Sequence, residues 1–65
     1  MDRDMIEGKW TEIKGQLRES YGELTDNDLE EAKGSREQME GVLQQKLGKS
    51  KEEVRQTVDR ILDKV

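Results

Sequence analysis

The sequence predicts an all-α fold, a small bundle of two packed α-hairpins built from four helices, and three observations lead to it. Apolar residues recur every three or four positions, which is the spacing of one helix face. Signals typical of helix ends separate four such stretches. The halves also repeat one another, because Gly8, Gly15 and Gly22 are each followed by another glycine 26 positions later, which indicates an internal duplication.

Composition places the chain near the lower limit of what folds without a disulfide or a metal. It has 65 residues, 43% of them charged, and no cysteine, proline or phenylalanine. The net charge is only −4, and the periodic placement of the few apolar residues favours a marginally stable fold over disorder. We expect one domain, residues 1–65, with one hairpin at about 4–33 and a second at about 35–63.

The first helix is predicted to begin at Asp4, as N-cap with Glu7 as its capping-box partner, and to end near residue 21. Gly22 is expected to terminate it in the left-handed conformation. Trp10, the only tryptophan, is expected at the centre of the core. The expected core residues of this helix are Ile6, Trp10, Ile13, Leu17 and Tyr21.

Three further helices are predicted, each beginning at a serine or threonine N-cap. Thr25 caps a short helix at about 26–33, which ends at Gly34. Ser35 begins the third helix, which ends at Gly48, and Ser50 begins the fourth. The sequences S-R-E-Q and S-K-E-E each predict a capping box. The expected core residues of these helices are Leu29, Met39, Leu43, Leu47, Val54, Val58 and Ile61.

Three glycines lie inside predicted helices, on the face opposite the apolar stripe: Gly8, Gly15 and Gly41. A glycine in a helix interior costs roughly 1 kcal/mol relative to alanine. Two explanations remain open. Either a protein with modest stability demands tolerates these glycines, or weakened helices serve local opening or the close approach of a partner backbone.

Several motifs together resemble the CsbD-like proteins, small and very hydrophilic bacterial proteins of the general stress response. The resemblance covers about residues 4–62 and is carried by G-K-W at 8–10, I-K-G at 13–15, Y-G-E-L-T-D-N-D-L at 21–29, G-S-R-E-Q-M-E-G at 34–41 and L-G-K-S-K-E-E-V at 47–54. It implies a compact bundle of two α-hairpins in a bacterial cytoplasm under stress. It implies no catalytic or binding residues.

The residue types argue against an enzyme and against a cofactor. The chain has no histidine and no cysteine, which excludes an imidazole base, a thiolate nucleophile and the usual zinc ligands. Four acidic residues match positions 1, 3, 5 and 12 of a calcium-binding EF-hand loop, but Glu31 occupies position 6, where that loop needs glycine. We expect a solvated helix start there, with no metal. The four residues are Asp26, Asp28, Glu30 and Glu37.

Charge distribution argues against nucleic-acid and membrane partners. The sequence pI is about 4.8, and no basic stripe emerges along the chain. The polar face of the first helix mixes acidic and basic residues, whereas an interfacial helix has a cationic face. No signal peptide or long apolar run is visible, so the cytoplasm is the expected location.

Two function hypotheses follow. The first is a non-catalytic, hydrophilin-like protectant, indicated by the mean hydropathy of −1.16, the mixed charges and the family resemblance. The alternative is a small adaptor module that docks on a protein partner or weakly self-associates. Its contact surface would be the acidic segment Glu23–Glu31 or the glycine face around Gly8 and Gly15. The sequence does not identify the partner.

Overall fold

A computed structural model describes residues 2–65, with side chains from Asp4 onward. These residues form five α-helices and no β-strand, which confirms the predicted all-α class. The helices are α1 (Asp2–Gly8), α2 (Trp10–Ser20), α3 (Asp26–Ala32), α4 (Arg36–Leu47) and α5 (Lys51–Lys64).

Helix α4 is the centre of the bundle, since it packs against α1, α3 and α5. Helix α5 packs against α2 as well as against α4. The main packing partner of α3 is α4 rather than α2, so the first half of the chain does not form the predicted self-contained hairpin. The reason is local. Tyr21 has an extended backbone (φ −135°, ψ 86°), and Leu24, three residues later, is buried. The segment between α2 and α3 therefore directs the short α3 onto α4.

The predicted first helix is two helices, separated by a bend at Lys9 (φ −113°, ψ 18°). Helix α1 begins at Asp2, so Asp4 lies inside it and is not its N-cap. Asp4 and Glu7 are both exposed. The bend has a packing reason, because it brings α1 against α4, where Ile6 is fully buried.

One cluster of buried apolar side chains forms the core. Ten of the twelve residues expected in the core belong to it. The other two, Trp10 and Leu47, are only partly buried and pack against it, so Trp10 is not at the core centre. Trp10 is the first residue of α2, directly beside the bend. The cluster contains Ile6, Ile13, Leu17, Tyr21, Leu24, Leu29, Ala32, Met39, Val42, Leu43, Val54, Val58 and Ile61.

The three hydroxyl residues expected at helix starts do occupy N-cap positions. Thr25 forms a full capping box with Asp28, whose backbone N–H donates to Thr25 Oγ1. Ser35 Oγ and Ser50 Oγ each accept from the backbone N–H three residues later, at 3.2 Å. The reciprocal bonds predicted from residues 38 and 53 are absent among the hydrogen bonds of residues 4–65.

The three glycines predicted to end helices, Gly22, Gly34 and Gly48, differ in backbone conformation and in their position relative to the helix end. Gly48 ends α4 in the left-handed conformation (φ 67°). The left-handed conformation predicted for Gly22 is wrong, because Gly48 is the only residue with positive φ within residues 2–65. The extended Tyr21 ends α2 instead. Helix α3 ends at Ala32, just before Gly34, and the Gln38 side chain fills the space that a Cβ at Gly34 would occupy.

Candidate functional site

Asp28 is the one buried carboxylate among residues 4–65, and it joins two helices. Its Oδ2 accepts a hydrogen bond from the backbone N–H of Thr25 at 3.1 Å, which closes the N-terminal turn of α3. Its Oδ1 lies 3.6 Å from Nζ of Lys46, near the end of α4. The carboxylate therefore fastens α3 to α4.

The hydrogen bond from the Thr25 backbone holds the pKa of the Asp28 carboxyl below its usual value. Burial works in the opposite direction, while the Thr25 hydroxyl and Lys46 also lower this pKa. Because this pKa is lower in the folded than in the unfolded state, ionised Asp28 stabilises the fold. The contribution is fully present at pH values above the unfolded-state pKa of about 3.9. That stability is lost as the pH falls through the folded-state pKa.

Asp28→Asn is expected to remove this part of the acid dependence. The free energy of unfolding of the wild type should fall as the pH drops below about 4, and that of the variant should fall less over the same range. At neutral pH the variant should be less stable than the wild type. Urea unfolding at a series of pH values measures both. Asp63→Asn, with the same change in net charge at an exposed position of α5, is the control. Equal slopes for the wild type and Asp28→Asn would contradict the assignment.

A buried hydrogen bond connects Tyr21 at the end of α2 to α5. The Tyr21 hydroxyl lies 3.0 Å from Oγ1 of Thr57, and both residues are less than a tenth exposed. Because both groups are hydroxyls, each can donate or accept. The bond satisfies both buried polar groups and fixes how α2 lies on α5, so its role is structural.

Arg36 connects the first turn of α4 to α5. Its Nε donates to Glu40 Oε2 at 2.8 Å, and its Nη2 is paired with Asp59. These hydrogen bonds raise the pKa of the Arg36 guanidinium, so it stays charged. The two carboxylates offset the positive charge of Arg36, which weakens its attraction for a ligand anion.

Surface depressions within residues 4–65 include two shallow ones. The first contains the Ser35 hydroxyl and two glutamates, but the hydrogen bonds of the described residues include none between that hydroxyl and either glutamate. The first has two arginines and two glutamates, so its charges balance, and the hydroxyl of its serine already accepts a hydrogen bond as the cap of α4. The second, beside α3 and α4, is lined by amides, a carboxylate and a valine. The first depression is lined by Ser35, Arg36, Glu37, Glu40 and Arg55. The second is lined by Glu31, Gln38, Gly41, Val42 and Gln45.

The residues that match an EF-hand loop do not form such a loop. Asp26, Asp28 and Glu30 lie on the helix α3, whereas a calcium loop needs irregular backbone, and Glu37 lies in α4. Within the described part of the chain, no group of three or more acidic residues is placed to hold a metal ion.

Surfaces expected for an adaptor are exposed in part. Gly8, Gly15 and Gly41 face solvent, and a Cβ added at any of them would meet no atom within 4 Å. The acidic segment is partly neutralised within the molecule, because Arg18 pairs with Asp26 and Lys46 with Asp28. No helix within residues 2–65 has the length and apolar character that a membrane span needs.

Sequence reasoning missed the polar residues that join the helices. Thr57 could have been found, since it lies between Val54, Val58 and Ile61 at helical spacing and so falls on the buried face. The T-x-x-D motif at residues 25–28 also predicts a capping box. No sequence signal identifies Lys46 or Asp59 as partners, because their pairing depends on how the helices pack.

Comparison with known proteins places the chain among small bacterial proteins. The family model described as CsbD-like matches residues 4–56. UPF0337 protein pc0632 of Protochlamydia amoebophila is 57% identical over 53 residues, which cover 82% of this chain and 80% of that protein. UPF0337 protein PA4738 of Pseudomonas aeruginosa is 42% identical over 65 residues and the full length of both chains. UPF0337 protein Bd3330 of Bdellovibrio bacteriovorus is 49% identical over 53 residues, but the match covers only 57% of that protein.

No solved structure gives a significant match. The family match covers most of the chain, and the Pseudomonas relative aligns from end to end. The names of these relatives state no activity. The chain therefore belongs to the CsbD-like family.

Proposed function

We propose that the chain is a non-catalytic stress-response protein that protects other macromolecules during water loss, in the manner of a hydrophilin. Its setting is the bacterial cytoplasm, and nucleic acid and membranes are not its partners. Membership of the CsbD-like family supports the stress setting, and the surface supports the mode of action.

The distribution of charge carries the proposal. From residue 4 onward, Asp28 is the only charged residue that is buried, and the ion pairs leave most charged side chains of this part unpaired. Unpaired, exposed charges of both signs retain a dense water shell and give little attraction to other proteins. Such a surface keeps neighbouring proteins separated and hydrated when water becomes scarce.

The core is correspondingly small. It consists of one cluster with a single tyrosine as its only aromatic member, and Met5 is the one large apolar side chain exposed among residues 4–65. A chain with so little exposed apolar surface offers few anchors for aggregation or for tight docking. This favours the protectant over the adaptor, since an adaptor uses a defined apolar contact.

Drying a labile enzyme with the protein tests the proposal. We expect the enzyme to retain several-fold more activity after drying and rehydration with the wild-type chain than with an equal mass of serum albumin. A buffer-only sample gives the baseline, and activity before drying shows that the protein does not simply activate the enzyme. Protection equal to or below that of albumin would contradict the proposal.

A further inference from the structure

The depression beside α3 and α4 is a polar groove whose hydrogen-bonding groups the fold does not use. Its volume is about 400 Å³, within the range of roughly 300–1,000 Å³ typical of small-molecule sites. Residues 4–65 provide no ion pair for the Glu31 carboxylate and no hydrogen bond for the side-chain amides of Gln38 and Gln45. In the other depression, by contrast, an arginine and a glutamate already pair with each other.

Two glycines keep this groove open. Gly41 lines it, and a Cβ at that position would meet no atom within 4 Å, so this part of the wall is bare backbone beside Val42. At Gly34, the Gln38 side chain occupies the space that a Cβ would take, which a larger residue would deny to it. A glycine inside α4 weakens the helix relative to alanine. The open groove gives Gly41 a structural reason that its place in the helix does not.

The lining favours a neutral ligand with several hydroxyl groups. Among residues 4–65, no arginine or lysine lines the groove, so a phosphate or carboxylate would meet only the negative charge of Glu31. The Glu31 carboxylate can accept from two hydroxyls, and each carboxamide can both donate and accept. Bare backbone at Gly41 and the Val42 methyls offer a small apolar surface to the C–H face of a sugar ring. A peptide fits less well, since the groove has no deep apolar pocket for an anchoring side chain.

The spacing of the two carboxamides sets the length of the ligand. Gln45 follows Gln38 by seven positions on α4, or about two turns, which is roughly 10 Å along the helix axis. A molecule that contacts both side chains must span that distance, which favours two sugar rings over one. We propose that this groove binds a neutral disaccharide, held by Glu31, Gln38 and Gln45 over the bare backbone of Gly41. The site is independent of the protectant function, because a charged surface that separates proteins needs no bound sugar.

Variants at exposed glycines test the groove without removing core contacts. Gly41→Gln places a side chain in the groove, and glutamine favours a helix more than glycine does. Gly15→Gln is the matched control, because Gly15 lies inside α2, is exposed, has open space for a side chain and does not line the groove. Glu31→Gln retains the shape but removes the charge. It should weaken binding by roughly threefold to tenfold, since hydrogen bonds to an ionised acceptor are stronger.

Amide NMR spectra of the isotope-labelled full chain, titrated with trehalose, measure binding. We expect saturable shifts at millimolar sugar, concentrated at the groove residues, in the wild type and in Gly15→Gln, and their loss in Gly41→Gln with a folded circular dichroism spectrum. Glucose should bind more weakly than trehalose at the same amides. Equal saturable shifts in Gly41→Gln and Gly15→Gln would overturn the proposal, as would shifts that only rise linearly across the whole surface. Tighter binding of the diamine putrescine at these amides would also overturn it, in favour of a cation site.

Discussion

Leu43→Ala is expected to abolish the cooperative unfolding transition of this chain. Leu43 is fully buried on α4, the helix that packs against three others. Truncation of a buried leucine to alanine costs about 2–5 kcal/mol, since it removes apolar contact and leaves a cavity. A chain of this length has a total stability of roughly 3–10 kcal/mol, taken at about 0.05–0.15 kcal/mol per residue. Because its length and small core place this chain at the lower end of that range, the substitution removes most or all of the stability.

Far-UV circular dichroism during a thermal melt measures this effect. The wild type should show one sigmoidal loss of helix, and Leu43→Ala a gradual loss with no midpoint. Gln45→Ala is the matched control, because Gln45 is exposed on the same helix and its change is expected to lie within about 0.5 kcal/mol of the wild type. A cooperative melt of Leu43→Ala within a few degrees of the wild type would contradict the central role of α4.

Tyr21→Phe is expected to lower the free energy of unfolding by about 1–3 kcal/mol. The substitution retains the ring but leaves the Thr57 hydroxyl, 6% exposed, without the partner that lies 3.0 Å away in the wild type. A buried polar group that loses its hydrogen bond bears the full cost of its desolvation. Urea unfolding of the two chains at neutral pH gives the difference.

The double variant Tyr21→Phe with Thr57→Val separates the hydrogen bond from the packing. Because it removes both polar groups, it should be more stable than the two single changes predict by roughly 1 kcal/mol or more. Thr57→Val alone completes the cycle. Additive losses in the double variant would show that the hydroxyl pair is not coupled and would contradict its role in positioning α2 on α5.

Short-range features of the fold could be predicted from the sequence. A helix face needs apolar residues three and four positions apart, and that spacing identified most of the core, including Ile13, Met39 and Ile61. Side chains that cap a helix act within three residues, so Thr25 and Ser35 are recognisable without knowledge of the tertiary structure.

Features that depend on packing could not be predicted. The bend at Lys9 exists because Ile6 packs beside α4, and no local signal at Lys9 distinguishes it from a helical residue. Gly22 has the residue type of a left-handed terminator, but the burial of Leu24 requires another path for the chain. The two repeated halves also give no indication that α3 packs on α4, because repetition in sequence does not fix which helices meet.

Drying assays that compare wild-type protein with Leu43→Ala test the proposed function most directly. A protectant of this kind acts through its exposed charges, which the variant retains in full, whereas an adaptor needs the folded surface. We predict that equal masses of the two chains preserve the same activity of a labile enzyme, within experimental error and above serum albumin. Protection that disappears with the fold would contradict the proposal and would favour a docking surface on the folded bundle.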